Sequence, residues 1–494
     1  MARFFPLILF LALLLGACTT GDNTPGPQVT PTAPPPPTAA ARLPTPTLDL
    51  PAPTASPTPL PAPVNIGYTI SAKLNYAWRT VAVEEQVNYT NNSGDSLNEL
   101  VVMVEPNQQP GVFILQSLTL DGGQAVKDYT LENNQLHIPL PAQLLPYHSL
   151  RVDLVFSLQL PEIPTPVDDL RPVPFGYTSQ QLNLVDWYPS LAPYRSGKGW
   201  LAHKPWFYGE HQVYDNSDFN VTIELVDPPS GLVVAASAPA QQNGNQFTYT
   251  ITDARNFVLS ASQYYKVFTQ QVGAVTVNSY AFTFDVTAGE AALQHTAAAL
   301  DLYSQIFSPY PHASLTVVEA DFLDGMEYDG LYFLSKGFYN LYNGTPQGYL
   351  AAIAAHETAH QWWYALVAND QALEPWLDEA LCTYTEYIYY SKVHPEYLKW
   401  WWDFRVDYYE PQGKINLQLY DYTSYRNYRD AVYLNGAHFL DELRILVGDD
   451  AFYAFLKDYA ATYKGQIVTA SDFFTLLNKH TQKDYSGLLK KYFN

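Results

Sequence analysis

The sequence predicts two folded halves, an antiparallel all-β domain followed by an α+β domain, carried behind an N-terminal leader and a proline-rich spacer. Three observations predict this. Residues 68 to about 270 repeat apolar positions with period two, the chain beyond Gly348 repeats them with helical period, and residues 19–63 hold 15 Pro and 10 Thr with only Asp22, Arg42 and Asp49 charged. A chain of 494 residues has room for two or three domains with full cores. Its 26 Lys and Arg against 48 Asp and Glu give a formal charge of -22 without a basic stripe, so nucleic acid is not an expected partner.

The leader comes first in the chain. Residues 1–18, MARFFPLILFLALLLGAC, set one basic residue before an apolar run and small residues, the pattern of a cleaved secretory signal. The run from Phe4 to Leu15 is too short to span a bilayer comfortably. Its end, Leu15-Gly16-Ala17-Cys18, resembles the bacterial lipobox, which implies acylation of Cys18 and a lipid anchor on the extracytoplasmic face of the cell membrane. The only other cysteine is Cys382, expected to pack as a small buried residue. At about 3.1 Å per residue, a polyproline-like spacer over 19–63 reaches up to roughly 140 Å from the membrane.

The β half, expected over 64–270, shows the alternation Val81, Val83, Glu85, Val87, Tyr89 and continues through LVVMVEP, FILQSLTL, QLHIPL and SLRVDLVFSLQL between the turn clusters NNSGD, DGG and ENN. DFNVTIEL, GLVVAAS, QFTYTIT and NFVLSASQYYKV extend the same pattern. The character changes near residue 287, and the second domain is expected over 271–494. There AGEAALQHTAAALDLYSQIF reads as a helix, and LTVVEA and GLYFLS read as strands. LAAIAAHETAHQWWYALV, PWLDEALCTYTEYIYYSK, EYLKWWWDFRVDYY, DAVYLNGAHFLDELRILVG, DAFYAFLKDYAATY and SDFFTLLNKHT read as further helices.

The first long helix of that series contains His356-Glu357-Thr358-Ala359-His360. Residues i and i+4 share a helix face, so two imidazoles converge on one point with a carboxylate beside them, the arrangement of a zinc site with an adjacent base. A catalytic zinc takes three protein ligands and leaves a position for water, so a further carboxylate is required. Glu379 follows His360 with eighteen residues between them; Asp378 and Glu374 compete with it, and helix phase alone does not choose. The spacing to Glu379 is the one used by gluzincin peptidases.

The run HETAHQWWYALVANDQALEPWLDEALCTY resembles the zinc helix pair of the aminopeptidase N family, which includes leukotriene hydrolase. The resemblance extends through DWYPSLAPYRSGKGW and GEHQVYDNSDFNVTIEL and covers about 68–494. It implies a saddle-like β domain and a thermolysin-like catalytic domain with one zinc, bound by His356, His360 and Glu379, and with Glu357 as general base. Asp430-Ala431-Val432-Tyr433-Leu434-Asn435-Gly436-Ala437 resembles the family's tyrosine motif, which implies that Tyr433 stabilises the oxyanion; Asn435 stands where the family usually has a basic residue. Asp324-Gly325-Met326-Glu327-Tyr328 resembles the family's G-x-M-E-N motif. Gly325 and Met326 would then line the substrate, and Glu327 would pair with its free α-amine. Asp324 and Tyr328 depart from that pattern, the family's D-E-P motif is not visible, and the large C-terminal helical domain of relatives does not follow DYSGLLKKYFN, which implies a more open cleft.

Asp378 and Thr383, the latter four residues after Glu379, are candidates to orient the ligands. Trp400, Trp401 and Trp402 are expected in core and groove wall. The function implied is an extracytoplasmic, lipid-anchored zinc aminopeptidase acting on peptides with a free N-terminus. A zinc endopeptidase or non-peptide hydrolase is the nearest alternative, and a surface binding protein the remote one.

Overall fold

The computed structural model describes residues 62–164 and 173–494; the expected signal, Cys18 and the spacer up to residue 61 lie outside the described residues. In the first half, strands such as Ile66–Asn75 and Thr80–Thr90 alternate buried and exposed residues, so each sets one face into a core. Seven strands form its main sheet, in the order Gln241–Asn243, Gln246–Ala254, Ser217–Val226, Ile66–Asn75, Thr80–Thr90, Ser149–Gln159, Phe113–Leu120. Pairing is antiparallel except between Ile66–Asn75 and Ser217–Val226, which run parallel. Residues 76–216 connect those two strands, far more chain than a hairpin supplies, and a long connection permits a parallel return. Two four-stranded sheets and the short pair Tyr194–Arg195 and Gly199–Trp200 complete this half among the described residues.

The second half holds a mixed five-stranded sheet, in the order Tyr265–Val272, Val275–Phe282, Ser314–Ala320, Leu331–Ser335, Gly325–Tyr328. It begins at Tyr265, where a hairpin turning at Gly273 (φ 57°) joins its first two strands. The helix Val286–Ile306 links Val275–Phe282 to its parallel neighbour Ser314–Ala320. That helix packs against the helix Tyr349–Ala359, and the many alanines on both let their backbones approach closely. Every residue from Leu350 to Ala359 is buried. This explains why the helix shows no polar face in the sequence.

Three helices differ from expectation. The helix carrying the two histidines ends at Ala359 with His360 as its C-cap, and HQWWYALV does not continue it. Trp362 and Trp363 instead drop into the core against Phe307, and Tyr364 takes a φ of 140°. Within EYLKWWWDFRVDYY, the segment Trp401–Val406 is a π-helical turn. So is Asp430–Asn435, before the α-helix Gly436–Val447 resumes. Such wider turns re-aim side chains and are frequent at functional sites.

Candidate active site and metal centre

Two helices build the centre. His356 and His360 project from the last turn and C-cap of Tyr349–Ala359, their rings 4.8 Å apart. Glu379 lies in the first turn of Trp376–Val393, where the positive end of the helix dipole favours carboxylates. Its Oε2 is 3.2 Å from His356 Nε2 and 3.6 Å from His360 Nε2, and one ligand atom from each of the three residues lies within 4.8 Å of the others. Of the two competing acids, Glu374 is turned away to accept from the Ala470 backbone N–H, and Asp378 contacts the far side of a histidine.

Each imidazole is gripped on the nitrogen that faces away from Glu379. His356 Nδ1 is 2.9 Å from Glu386 Oε1, and His360 Nδ1 is 2.7 Å from Asp378 Oδ1. Carboxylates there hold each ring as the tautomer with hydrogen on Nδ1, which leaves both Nε2 lone pairs pointing inward. Glu386 in turn accepts from Arg405 Nε and Nη2 at 3.0 and 2.8 Å and from Trp401 Nε1 at 2.9 Å. Burial alone would push the Glu386 carboxyl up; Arg405 and His356 hold it below the usual carboxylate range. Glu327, Glu357, Asp378 and Glu379 are buried around the two imidazoles. That concentration of buried anionic oxygens, with two inward nitrogens, is a donor set suited to a divalent cation.

A cavity of about 440 Å³ opens over this centre. The edge strand Gly325–Tyr328 runs along one wall, antiparallel to Leu331–Ser335. A Cβ at Gly325 would stand 2.0 Å from Glu357 Oε1, so only glycine lets the strand pass this close to that carboxylate. Glu357 Oε2 is buried with no hydrogen-bond partner among the described residues, and burial pushes its carboxyl well above the usual range. Glu327 is 6% exposed; burial, opposed by His360 and reinforced by Glu210, raises its carboxyl to about 7. Glu210 comes from the β half, and single carboxylate oxygens of Glu210, Glu327 and Glu379 lie within 4.8 Å of one another. On another wall, the Tyr433 ring stacks on His356 at 5.9 Å and 11°. Burial, then the Glu379 carboxylate, pushes its phenol well above the ordinary value, so it stays a hydrogen-bond donor.

Residues 291–492 match the peptidase family M1 domain. That stretch contains both histidines, Glu379, Glu327 and Tyr433. The second half of the chain is thus similar to the peptidase family M1 domain. Among curated proteins, the chain is similar to Aminopeptidase M1 of Arabidopsis thaliana, 24% identical over 304 residues, which is 56% of this chain and 33% of that protein. It is also similar to Probable aminopeptidase 2 of Sulfurisphaera tokodaii, 26% identical over 163 residues, which is 28% of this chain and 19% of that protein. The chain thus spans a third or less of the length of these relatives. Among solved structures, the M1 zinc metallopeptidase of Deinococcus radiodurans superposes with a TM-score of 0.61 at 18% identity, covering 86% of this chain and 92% of the other. A mutant of that enzyme bound to a Tyr-Ser-Ala substrate gives a TM-score of 0.59, covering 86% and 93%. These likenesses establish the two-domain M1 fold.

Within the M1 domain the expected residues His356, Glu357, His360, Glu379, Glu327, Gly325 and Tyr433 come together around one cavity, and Met326 lines it while packing into the core beside Phe333. Thr383 does not join them: its hydroxyl is buried with no hydrogen-bond partner among the described residues, the histidines included. Cys382 is buried, and its sulfur sits 3.6 Å from the Trp363 carbonyl. Sequence reasoning missed four residues. Glu386 lies two helical turns after Glu379, so helix phase could have found it. Arg405, Gln371 and Glu210 reach the site from other segments, with no local signal.

Proposed function

We propose that the chain is an exported, lipid-anchored zinc aminopeptidase that removes N-terminal residues from peptides. The observation that carries this reading is the pair Glu327, buried, and Glu210, half-buried, two carboxylates set beside Glu379 in the cleft. A protonated α-amine neutralises that pair, which fixes the first peptide bond over the centre. An internal stretch of chain brings no charge there. The family match and the aminopeptidase relatives support the same conclusion.

His356, His360 and Glu379 would hold the zinc, which would supply polarisation of the scissile carbonyl and acidification of a water near neutral pH. Glu357, whose Oε2 has no hydrogen-bond partner among the described residues, is placed to take a proton from the attacking water and deliver it to the departing amine. Tyr433 donates its phenolic hydrogen to the carbonyl oxygen as negative charge grows there. Asp378 and Glu386 keep both imidazoles in register. Export and anchoring rest on residues 1–18 and on the lipobox resemblance at Cys18; incorporation of labelled palmitate that Cys18→Ser abolishes is the expected result.

The deciding experiment is hydrolysis of aminoacyl arylamides and of matched N-acetylated peptides, with and without chelator. Chelator-sensitive cleavage of the free-amine substrates is expected. Glu357→Gln should keep its zinc and lose about a thousandfold in kcat. Equal cleavage of the acetylated peptides would overturn the exopeptidase reading in favour of an endopeptidase.

A further inference from the structure

We infer that Arg429 receives the C-terminal carboxylate of the substrate, so that the preferred substrates are short peptides free at both ends; this rests on the aminopeptidase reading above. The cavity of about 440 Å³ has the size of a small-ligand site. Two of its charged groups can be placed by their partners. Glu327 belongs to the His360 side, since Gln371 Nε2 donates both to Glu327 Oε1 at 3.1 Å and to Asp378 Oδ2 at 2.6 Å, and Asp378 holds His360. Arg405 and Arg429 line the same cavity on the His356 side.

These two arginines are not equivalent. Arg405 is 6% exposed and forked onto Glu386, one cation on one carboxylate, so its charge is already balanced. Arg429 shares Asp430 with a second arginine. Its Nε and Nη2 both reach Asp430 Oδ1 at 2.9 and 2.5 Å, while Arg426 Nε stands 3.6 Å from Oδ2. Two cations on one carboxylate leave a positive charge over. The Arg429 side chain keeps 22% of its exposure, and its guanidinium lies 4.0 Å over the Tyr409 ring with Nη1 unbonded among the described residues. Cation–π stacking fixes the guanidinium plane and leaves its edge for an anion.

Its position also fits. The Tyr409 hydroxyl is 2.9 Å from that of Tyr349, the first residue of the helix that presents His356 two turns later on the same face. Arg429 itself precedes Tyr433 by one turn, and the Tyr433 ring stacks on His356. A short peptide carries an ammonium at one end and a carboxylate at the other. With Glu327 on the His360 side to take the ammonium and a spare guanidinium on the His356 side to take the carboxylate, the favoured direction is the one that puts its first peptide bond at the centre.

The test compares Ala-Ala-Ala, its C-terminal amide and alanyl p-nitroanilide on the full chain. The free acid is expected to exceed the amide about tenfold in kcat/KM, mostly through KM, with the advantage shrinking at high salt. In Arg429→Gln the ratio should fall to about one, and Arg429→Lys should retain part of it. Equal values for acid and amide in the unmodified chain, with the anilide still cleaved, would overturn the inference while sparing the aminopeptidase reading. A tenfold preference persisting in Arg429→Gln would overturn the assignment to this residue. Failure to cleave the anilide would overturn the aminopeptidase reading, and this inference with it. The comparison of acid and amide in the unmodified chain decides the question even if the variant does not fold.

Discussion

Behind His356 stands a carboxylate that is itself saturated: Glu386 is fully buried and takes two bonds from Arg405, one from Trp401 and the contact with the ring. Behind His360 stands Asp378, equally buried, which receives no cation; its second oxygen is held by the neutral amide of Gln371, and that amide also holds Glu327. One imidazole is thus fixed by a buried ion pair, and the other by a chain of hydrogen bonds that ends at the proposed amine site. The first support is structural in character. The second links the proposed amine site to His360 through Gln371 and Asp378.

The largest expected effect comes from breaking the ion-paired side. Arg405→Met leaves Glu386 buried without its cation, and breaking a buried pair from one end costs about 3–5 kcal/mol. Denaturant unfolding of the variant checks this; a loss below about 1 kcal/mol would mean that the ion pair does not hold the site. Zinc affinity sharpens the contrast. Glu386→Gln and Asp378→Asn should each weaken zinc about 10–100-fold in chelator competition. Only Glu386→Gln should also lower fold stability, since it strands the Arg405 charge, whereas Asp378→Asn strands none. Equal stability losses would erase the distinction between the two sides.

How far these supports were legible in the sequence follows from what each depends on. The pair His356 and His360 is visible because helix geometry turns a local spacing into a spatial one, whereas Glu379, on another helix, is visible only through its spacing to His360 and the family resemblance. The strands Ser314–Ala320 and Leu331–Ser335 are visible as apolar runs. The edge strand Gly325–Tyr328, four residues long, is too short for a periodic pattern, so Glu327 was placed by motif and not by structure. The turn after Ala359 was hidden because Trp362 and Trp363 suit a buried helix as well as a core loop, and tertiary packing decided. Gln371 and Glu210 could not be read at all: each acts through a neighbour distant in sequence, Glu327 being 44 residues from Gln371.

The hydrogen-bonded side has a smaller, kinetic signature. Gln371→Leu removes the amide that holds Glu327 and Asp378 side by side, leaving two buried carboxylates without their shared donor. KM for substrates with a free amine should rise about tenfold, with kcat changed no more than about threefold, because the group lost positions the amine and not the reacting bond. A fall in kcat with KM unchanged would show instead that Gln371 acts through His360 alone.

Thr383 is the control for both sides, and the smallest effect. It lies on the same helix as all three carboxylates, four residues after Glu379 and three before Glu386, and is 0% exposed, so proximity alone would give it a part in orienting the ligands. Its hydroxyl nevertheless has no hydrogen-bond partner among the described residues. A buried donor without a partner keeps its desolvation cost and returns nothing, so replacing it with an apolar group of the same shape is neutral or stabilising. Thr383→Val should therefore leave zinc affinity and kcat/KM within about twofold and raise stability by up to about 1 kcal/mol. A tenfold loss of zinc affinity would show that the hydroxyl supports the ligands after all, and that contacts to His356 and His360 through Glu386 and Asp378 are not the whole of their support.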